Sequence, residues 1–397
     1  MALAAPWWIA PVSAQTPEGG PDPSQMRVRL GPFWLNPRVV LTNLGVDTNV
    51  FNVPDELGPQ KDFTFTATPS TDIWLRMGIS WLQVTIREDL VWYQKFETQR
   101  GANTALDITW RAPIGRTLVS ISPRYLSTNE RPGYEIDARV RRREYGVSGK
   151  VEVRAFSKTF FGVTGSTLNV KYADDALFYG QSLQEDLNRK TVGYGVTLRH
   201  EVTPLTSLSL NASRQEDPFE FNPLRDADST SVTGGVSFDP HALVKGSASF
   251  GYRDFVPLSS DLPPYKGPIW TVDLSYTLLG VTRFAVQWKQ DIAFSYDELQ
   301  PYYLETGYSG TVTQQIFGPF DAQARGGIQH LAYRNRSGAL VNPDRTDDVQ
   351  TYGGGIGYHF GQDARLGVNV EHQSRTSPVP VREFSALRYG VSVTYGF

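Results

Sequence analysis

The chain has 397 residues and is nearly balanced in charge, with 38 Lys and Arg against 41 Asp and Glu. Its pI near 6.0 reflects no basic excess, so nucleic acid is not an expected partner. Mean hydropathy is −0.33, and beyond residue 14 no apolar run approaches the roughly 18 residues of a membrane helix, which excludes a helical membrane protein. The chain contains no Cys, which excludes disulfides and thiolate metal sites.

The N-terminal segment differs in composition from the rest. Residues 2–12 are apolar and lead into Val12-Ser13-Ala14, a small-x-small pattern that predicts a signal peptide over residues 1–14. No Lys or Arg precedes this stretch, so the true start of the signal peptide is open, and a disordered apolar N-terminus is the alternative. Residues 15–34 are predicted to form a periplasmic linker, because their first half is rich in Pro, Gly and polar residues. Residues 35–397 then form one folded unit.

Residues 35–397 show the period-2 alternation of β-strands almost throughout. Alternation and turn signals together predict eighteen strands, the first at about residues 36–46 and the last at 384–397. Leu366, Val368 and Val370, for example, share one face of a strand whose other face is charged, polar or small. Burying an unpaired cation in a dry core costs roughly several kcal/mol, so the polar faces must be in contact with water. A water-filled lumen meets that need, with the apolar faces in lipid.

The connections alternate in length along the whole chain. Eight are tight turns, such as those at residues 77–79 and 361–364, and most of the others are longer polar loops, such as 129–141. Short turns at one end and long loops at the other are typical of outer-membrane barrels, which have an even number of strands. The predicted fold class is therefore all-β, a transmembrane antiparallel up-and-down β-barrel of about 18 strands in the cell outer membrane.

Aromatic residues gather near the predicted strand ends. We interpret them as two belts at the headgroup levels of the membrane, where an amphipathic ring is favoured. The belt at the loop end comprises Trp92, Phe96, Tyr125, Phe255, Trp270, Tyr296, Tyr302, Tyr303, Tyr333 and Phe384.

The last strand ends on Tyr395-Gly396-Phe397 and alternates up to its final residue. This ending resembles the C-terminal assembly signal of Gram-negative outer-membrane barrels. The resemblance implies that Tyr395 and Phe397 are recognised by the barrel-assembly machinery.

The predicted inward faces carry both signs of charge in near balance. Sequence leaves two arrangements open: opposed ladders of charge across a constriction, or a network of salt bridges across the lumen. The predicted pore-lining residues are Arg76, Arg87, Asp89, Arg124, Lys150, Arg199, Arg253, Asp273, Lys289, Asp291, Glu305, Arg325, Glu371 and Arg388.

Several stretches near the start of the barrel resemble the putative β-barrel porin 2 family of Gram-negative outer-membrane proteins. They are Gly31-Pro32-Phe33, Asn36-Pro37, the GVDTNVF sequence at residues 45–51, and FTFTATPS at residues 63–70. The resemblance implies an outer-membrane barrel, and members of the family are often associated with exopolysaccharide export. It supplies no catalytic residue.

Catalytic and metal-binding patterns are weak. A lipase-like barrel needs a Ser and a His on the lipid-facing side of neighbouring strands, and His330 and His372 have that parity but lie two strands apart, so we interpret both as rim residues. Acidic loop runs such as residues 344–348 lack the spacing of a defined Ca²⁺ loop. Gly353-Gly354-Gly355 lies within a strand and is interpreted as a point of curvature or lumen contact rather than a phosphate loop.

The favoured hypothesis is passive transport of small hydrophilic solutes through a water-filled channel, without enzyme activity or a cofactor. A first alternative is a conduit or accessory for exopolysaccharide export, motivated by the family resemblance and by the predicted inward aromatics Trp74, Trp81 and Tyr303. A second alternative is a closed structural or anchoring barrel. The expected surroundings are outer-membrane lipid and lipopolysaccharide, with small hydrophilic solutes or polysaccharide in the lumen.

Overall fold

A computed structural model describes residues 26, 28–239, 242–341, 345–361 and 363–396. Strands account for most of them, and one short helix, α1, spans Leu183–Leu187. The strands in chain order are β1 (Val28–Leu30), β2 (Phe33–Asp47), β3 (Asp62–Met77), β4 (Ser80–Tyr93), β5 (Gly101–Ile114), β6 (Thr117–Thr128), β7 (Arg142–Phe156), β8 (Thr159–Tyr172), β9 (Leu177–Phe178), β10 (Gln181–Ser182), β11 (Arg189–Thr203), β12 (Thr206–Asp217), β13 (Ala227–Phe238), β14 (Val244–Pro257), β15 (Tyr265–Leu278), β16 (Thr282–Phe294), β17 (Tyr302–Phe317), β18 (Phe320–Arg334), β19 (Thr346–Phe360), β20 (Ala364–Thr376) and β21 (Phe384–Tyr395).

The sheet closes into an antiparallel barrel of eighteen strands. Each long strand pairs with its neighbours in sequence, β8 pairs with β11 across the small β9–β10 hairpin, and β2 pairs with both β3 and β21. The predicted fold class and strand number are confirmed. The predicted tight turns lie at one end of the barrel, the turn end, and the longer connections lie at the other, the loop end.

The observed strand bounds differ from those predicted by the alternation by up to four residues. The difference is greatest at β15, which begins at Tyr265 where the alternation predicts a start at Ile269. Within the predicted linker at residues 15–34, β1 folds back against β2, which starts at Phe33 rather than near residue 36. The predicted signal peptide at residues 1–14 and the terminal Phe397 lie outside the described residues.

The outer surface of the barrel is apolar along its middle. On β20, for example, Val368 is 63% exposed, and on β12 Leu210 is 52% exposed. A soluble sheet would bury such a band, whereas lipid covers it in a membrane barrel. No helix within the described ranges is long and apolar enough to cross a membrane.

The seam between the first and last barrel strands explains the GVDTNVF sequence. Gly45 lies so close to β21 that a Cβ atom there would meet the carbonyl oxygen of Tyr389. Two residues on, the Asp47 carboxylate accepts from Arg388 Nε at 2.9 Å. The Asn49 amide donates to the carbonyl of Ser385 at 3.0 Å. The motif therefore closes the barrel by joining the end of β2 to β21.

Most of the aromatic residues predicted as a loop-end belt are buried beneath the loops instead of facing lipid, so that interpretation is wrong for them. Their side chains pack beneath the loops, and the residues are at most 7% exposed. They are Phe255, Tyr296, Tyr302, Tyr303, Tyr333 and Phe384.

Candidate functional site

The barrel encloses a central cavity of about 1090 Å³, and most of the residues that line it are polar or charged. Small hydroxyl side chains line much of it, because the inward positions of β3 and β13 are mainly Ser and Thr and those of β12 include two Ser. Thr68 and Ser209 are examples on opposite parts of the wall. Such a surface hydrogen-bonds water without presenting bulky groups to the lumen. The cavity extends from Arg38 in β2 to Asp137 in a loop that enters from the loop end.

Ten of the fourteen predicted pore-lining residues contact this cavity. They are Arg87, Asp89, Lys150, Arg199, Arg253, Lys289, Asp291, Glu305, Glu371 and Arg388.

The other four predicted residues lie outside the contact surface of the cavity but on the same strand faces. Arg325 bonds Glu371, with 2.6 Å between Nη2 and Oε2. Asp273 accepts from a Gln287 side chain in the next strand, and Arg124 pairs in register with Asp107. Arg76 lies at the turn end, with its guanidinium 5.7 Å from the ring centre of Trp81.

The wall charges form ion pairs with near neighbours on the wall rather than across the lumen. On β4, Arg87 and Asp89 are 2.9 Å apart. On neighbouring β21 and β2, Arg388 pairs with Asp47. Neither arrangement left open by the sequence describes this wall, because partners come from the same, adjacent or next-but-one strands.

In three of these ion pairs the two partners lie on strands that are separated by one other strand. A glycine of that middle strand lies between the two charged side chains. Gly162 lies beneath the 3.2 Å contact of Arg199 Nε with Glu152, and a Cβ there would be 2.9 Å from Glu152 Cγ. Gly353 lies in register between Arg325 and Glu371.

The third pair joins Asp321 and Arg365 over Gly357, with Nη2 and Oδ1 2.6 Å apart. A missing side chain at each crossing lets two charged side chains meet above the strand between them. The predicted role of Gly353 as a lumen contact fits this arrangement.

Residues 129–141, which connect β6 and β7, fold into the barrel, and we call them the inner loop. Arg131, Tyr134 and Asp137 all contact the central cavity. Ile136 is only 4% exposed and packs with buried side chains from β8 and α1. The sequence predicts this segment only as a long polar loop, so its entry into the lumen is an addition from the structure.

Arginines from β20 and the following connection hold the inner loop. Arg375 Nη1 donates to Asp137 Oδ2 at 2.9 Å and to the carbonyl oxygens of Tyr134 and Glu135, each at 3.0 Å. Arg382 Nη2 also reaches Asp137 Oδ2, at 3.2 Å. Burial raises the pKa of the Asp137 carboxyl, while Arg375 and Arg382 act in the opposite direction.

The opposite side of the inner loop is held by Ser295, directly after β16, and by Tyr93 at the end of β4. Ser295 Oγ donates to the Glu135 carboxylate at 2.6 Å. Burial raises the pKa of Glu135, and its hydrogen bond from Ser295 and the nearby Arg382 counteract this. Arg139 donates to Tyr93 Oη at 2.8 Å, next to the base of the loop. Contacts from several sides therefore hold the inner loop within the lumen.

The comparisons with known proteins agree with this geometry. The family model described as Putative beta-barrel porin 2 matches residues 22–397, nearly the whole chain. The chain belongs to this porin family. None of the curated proteins matches it.

Among solved structures, a BenF-like porin from Pseudomonas fluorescens Pf-5 is similar to this porin-family chain. The two share 12% identity with a TM-score of 0.50, and the similarity covers 93% of this chain and 100% of the other. The outer membrane protein opdK from Pseudomonas aeruginosa gives 10% identity, a TM-score of 0.47 and coverage of 91% and 98%. At such identities the likeness of the BenF-like porin shows the fold alone. Family and fold together imply a Gram-negative outer-membrane β-barrel.

A second group of loops caps the porin lumen next to the inner loop. Arg225, between β12 and β13, is 2% exposed and donates to the carbonyl oxygens of Ser295 and Pro301. Its Nη1 lies 3.4 Å from Asp186 Oδ1 in α1. Burial raises the pKa of Asp186 to about 6, although Arg225 opposes the shift. We call this contact the cap cluster, defined by Asp186, Arg225, Ser295 and Pro301.

The residues considered for catalysis occupy the outer face of the barrel. His372 Nε2 lies 3.0 Å from Ser385 Oγ on the neighbouring strand, and its ring stacks on Tyr352 at 4.8 Å. Its Nδ1 meets no hydrogen-bond partner within the described residues, so the third group of a catalytic triad, which would hold the ring through Nδ1, is not found there. His330 lies between Tyr308 Oη and Asp348. In the described part of the chain no group of three or more His, Asp or Glu is placed to hold a metal ion.

Proposed function

We propose that this porin-family barrel is a passive outer-membrane channel for small hydrophilic solutes, narrowed by its inner loop. The observation that carries the proposal is the polar cavity, which runs from Arg38 in β2 to the inner loop at the loop end. Barrels with this number of strands have room for an aqueous channel. The inner loop sets the solute size, because it occupies the lumen and is held by the ion pairs of Arg375.

The surroundings belong to the same proposal. Outer-membrane lipid covers the apolar band, lipopolysaccharide surrounds the loop end, and the barrel-assembly machinery recognises Tyr395 and Phe397. Tyr395 lies at the end of β21 and is 60% exposed, so its ring is accessible to a partner.

A passive channel is better supported than the two alternatives, polysaccharide export and a closed structural barrel. Tyr303, one of the aromatic residues that suggested polysaccharide export, is 5% exposed and packs against Tyr333 with ring centres 5.3 Å apart. Its face is therefore not available for stacking on a sugar ring. A closed structural barrel was suggested by the charge balance, but the strand-borne ion pairs run along the wall and leave the polar cavity between them.

Solute flux into proteoliposomes tests the proposal. We expect vesicles that contain the refolded full chain to admit a small sugar faster than empty vesicles, and to exclude a large dextran. Salt-dependent conductance in a planar bilayer provides an independent measurement of the open pore. If folded, inserted protein gives neither sugar flux nor conductance, the barrel is not a passive channel.

A further inference from the structure

Strands β15 and β16 separate toward the loop end of the barrel. Their register runs from Leu278 opposite Thr282 to Trp270 opposite Gln290 and stops there. Beyond this point β15 continues to Tyr265 paired only with β14, and β16 continues to Phe294 paired only with β17. We call the space between residues 265–269 and 291–294 the β15–β16 gap.

The local sequence explains why the gap forms. Pro268 has no N–H with which to bond a neighbouring strand. Its carbonyl oxygen accepts instead from Gln290 Nε2 and Tyr265 Oη, each at 2.8 Å. On the facing strand, the Ile292 N–H donates to Asp291 Oδ1 at 2.8 Å. Side chains thus satisfy these backbone groups at both edges. The two strands can therefore separate without leaving backbone N–H or C=O groups unpaired, which would carry a large desolvation cost.

The central cavity extends into this gap. All six residues from 289 to 294 contact the cavity, as do Ile269 and Trp270 of β15. In an intact barrel strand only alternate side chains face the lumen. Both faces of the β16 end therefore meet the cavity, and on the facing edge Ile269 meets it at the base of the gap.

The walls of the gap are apolar and aromatic. On the lumen side, the Phe294 ring lies 5.0 Å from Phe219 and 6.1 Å from Phe255, measured between ring centres. At the lower edge, Trp270 and Trp288 lie 4.9 Å apart. Tryptophan is favoured at the membrane interface, which places the gap at the level where amphipathic molecules collect.

A cation lies at the base of the gap. Lys289 contacts the cavity one residue below Gln290, where the pairing ends. The neighbouring Arg253 is held by Asp291, with Nη1 and Oδ1 2.8 Å apart. Arg189 lies over the Phe294 ring, 5.0 Å from its centre, and so belongs to the aromatic wall. Lys289, whose charge also acts on Glu305 in β17, lies where the pairing ends and is placed to meet an incoming anionic group beside walls that suit an apolar body.

We propose that the β15–β16 gap is a lateral binding site for an amphipathic anion, through which the apolar body of the ligand reaches the membrane interface while its anionic end meets Lys289 in the lumen. The site goes beyond the lengthwise passage of hydrophilic solutes. It requires only that the barrel lies in a membrane.

Binding of anilinonaphthalene sulfonate, an aromatic anion that fluoresces in apolar surroundings, tests the site. The full chain in lipid nanodiscs is titrated, and the signal of empty nanodiscs is subtracted. We expect one saturable component, weakened about tenfold by Lys289→Gln because a charge-assisted contact is lost. Lys150→Gln is the matched control, since Lys150 lines the same cavity from β7. Equal affinities for these two variants, or no saturable component in the unaltered chain, overturn the proposal.

A blocking experiment locates the site independently of Lys289. The chain has no Cys, so Ile292→Cys introduces a single thiol in the gap. Modification with N-ethylmaleimide is expected to abolish the saturable component. Val286→Cys is the control, because Val286 is on the same strand where pairing with β15 is intact and is 49% exposed outward. Binding that survives modification of Ile292→Cys contradicts the proposal.

Salt conductance of the same variants separates this proposal from the channel function. Gap variants that lose dye binding but still conduct salt support a lateral site beside a working channel. A chain that binds the dye at the gap but never conducts salt leaves the lateral site supported and the channel proposal wrong.

Discussion

Arg375 and Asp137 are 238 residues apart in sequence, yet Arg375 Nη1 lies 2.9 Å from Asp137 Oδ2. This contact joins β20 to the inner loop. Arg375 also bonds the buried Asp347, which receives a second arginine, Arg345, at 2.9 Å. The inner loop is therefore attached to the barrel wall through a buried charge network rather than through strand pairing.

Removing the Arg375 guanidinium is expected to release the inner loop. Arg375→Gln leaves two buried carboxylates, Asp137 and Asp347, with less compensation, and breaking a buried pair costs about 3–5 kcal/mol. We expect single-channel conductance to rise, because the loop leaves the lumen more often.

Arg214→Gln is the control for this experiment. Arg214 forms an exposed pair with Asp228, and exposed pairs contribute roughly 1 kcal/mol or less. If Arg375→Gln conducts like Arg214→Gln and the unaltered chain, the inner loop does not limit the pore.

The barrel seam gives a prediction about stability. Gly45→Ala adds a Cβ that collides with the backbone of Tyr389, which is not free to move because it belongs to the closing ladder. Overpacking of this kind costs about 1–3 kcal/mol. We expect a lower midpoint of urea unfolding, measured by the shift of the folded band on an unheated gel. Gly165→Ala provides the comparison, since a Cβ at Gly165 meets nothing within 4 Å, and an equal loss in both variants contradicts the seam argument.

The strand pattern could be predicted from the sequence because each barrel strand repeats one local rule, apolar outward and polar inward. The rule fails where a loop, instead of lipid, covers the aromatic side chains at a strand end. Tyr303 and Phe384 are aromatic and lie near strand ends, as belt residues do, but both are buried under loops. Nothing in the local sequence distinguishes those two environments.

The inner loop could not be predicted for a related reason. Its residues are polar and charged, which is also the composition of a solvated loop. What draws Glu135 and Asp137 inward are Ser295 and Arg375, and these partners lie 160 and 238 residues further along the chain. Pairings over such distances depend on strand positions around the barrel, which alternation does not specify.

The Arg87–Asp89 pair on β4 predicts how ion selectivity responds to single charges. Asp89 accepts from Arg87 and from Thr68 Oγ1, so each charge is largely neutralised by its partner. Asp89→Asn leaves the Arg87 cation uncompensated and is expected to shift the reversal potential toward anion preference. Arg87→Gln is expected to shift it toward cations, because Asp89 then remains charged. Shifts of the same sign in a salt gradient contradict this assignment.

The cap cluster predicts a pH dependence of its closure. The pKa of Asp186 is about 6 in the folded cap, against an ordinary value of 3.8 for an unfolded chain. The folded state therefore holds the proton more tightly. Stability contributed by the protonated carboxyl is therefore fully present below about pH 4 and decreases as pH rises through 6. The difference is at most about 3 kcal/mol. Around Asp186, Arg225 favours the charged form, while Glu185, Asp297 and Glu298 disfavour it.

Hydrogen exchange of residues 295–301 measures this effect. We expect slower exchange at pH 5 than at pH 7.5, after correction for the intrinsic rate, because ionised Asp186 repels Asp297 and Glu298 and loosens the cap. Asp186→Asn stays neutral at both pH values and should remove the difference while keeping the size of the side chain. If the exchange rates of Asp186→Asn still differ between the two pH values, the effect belongs to another group. If the exchange rates of the unaltered chain do not differ, the Asp186 carboxyl does not control the cap.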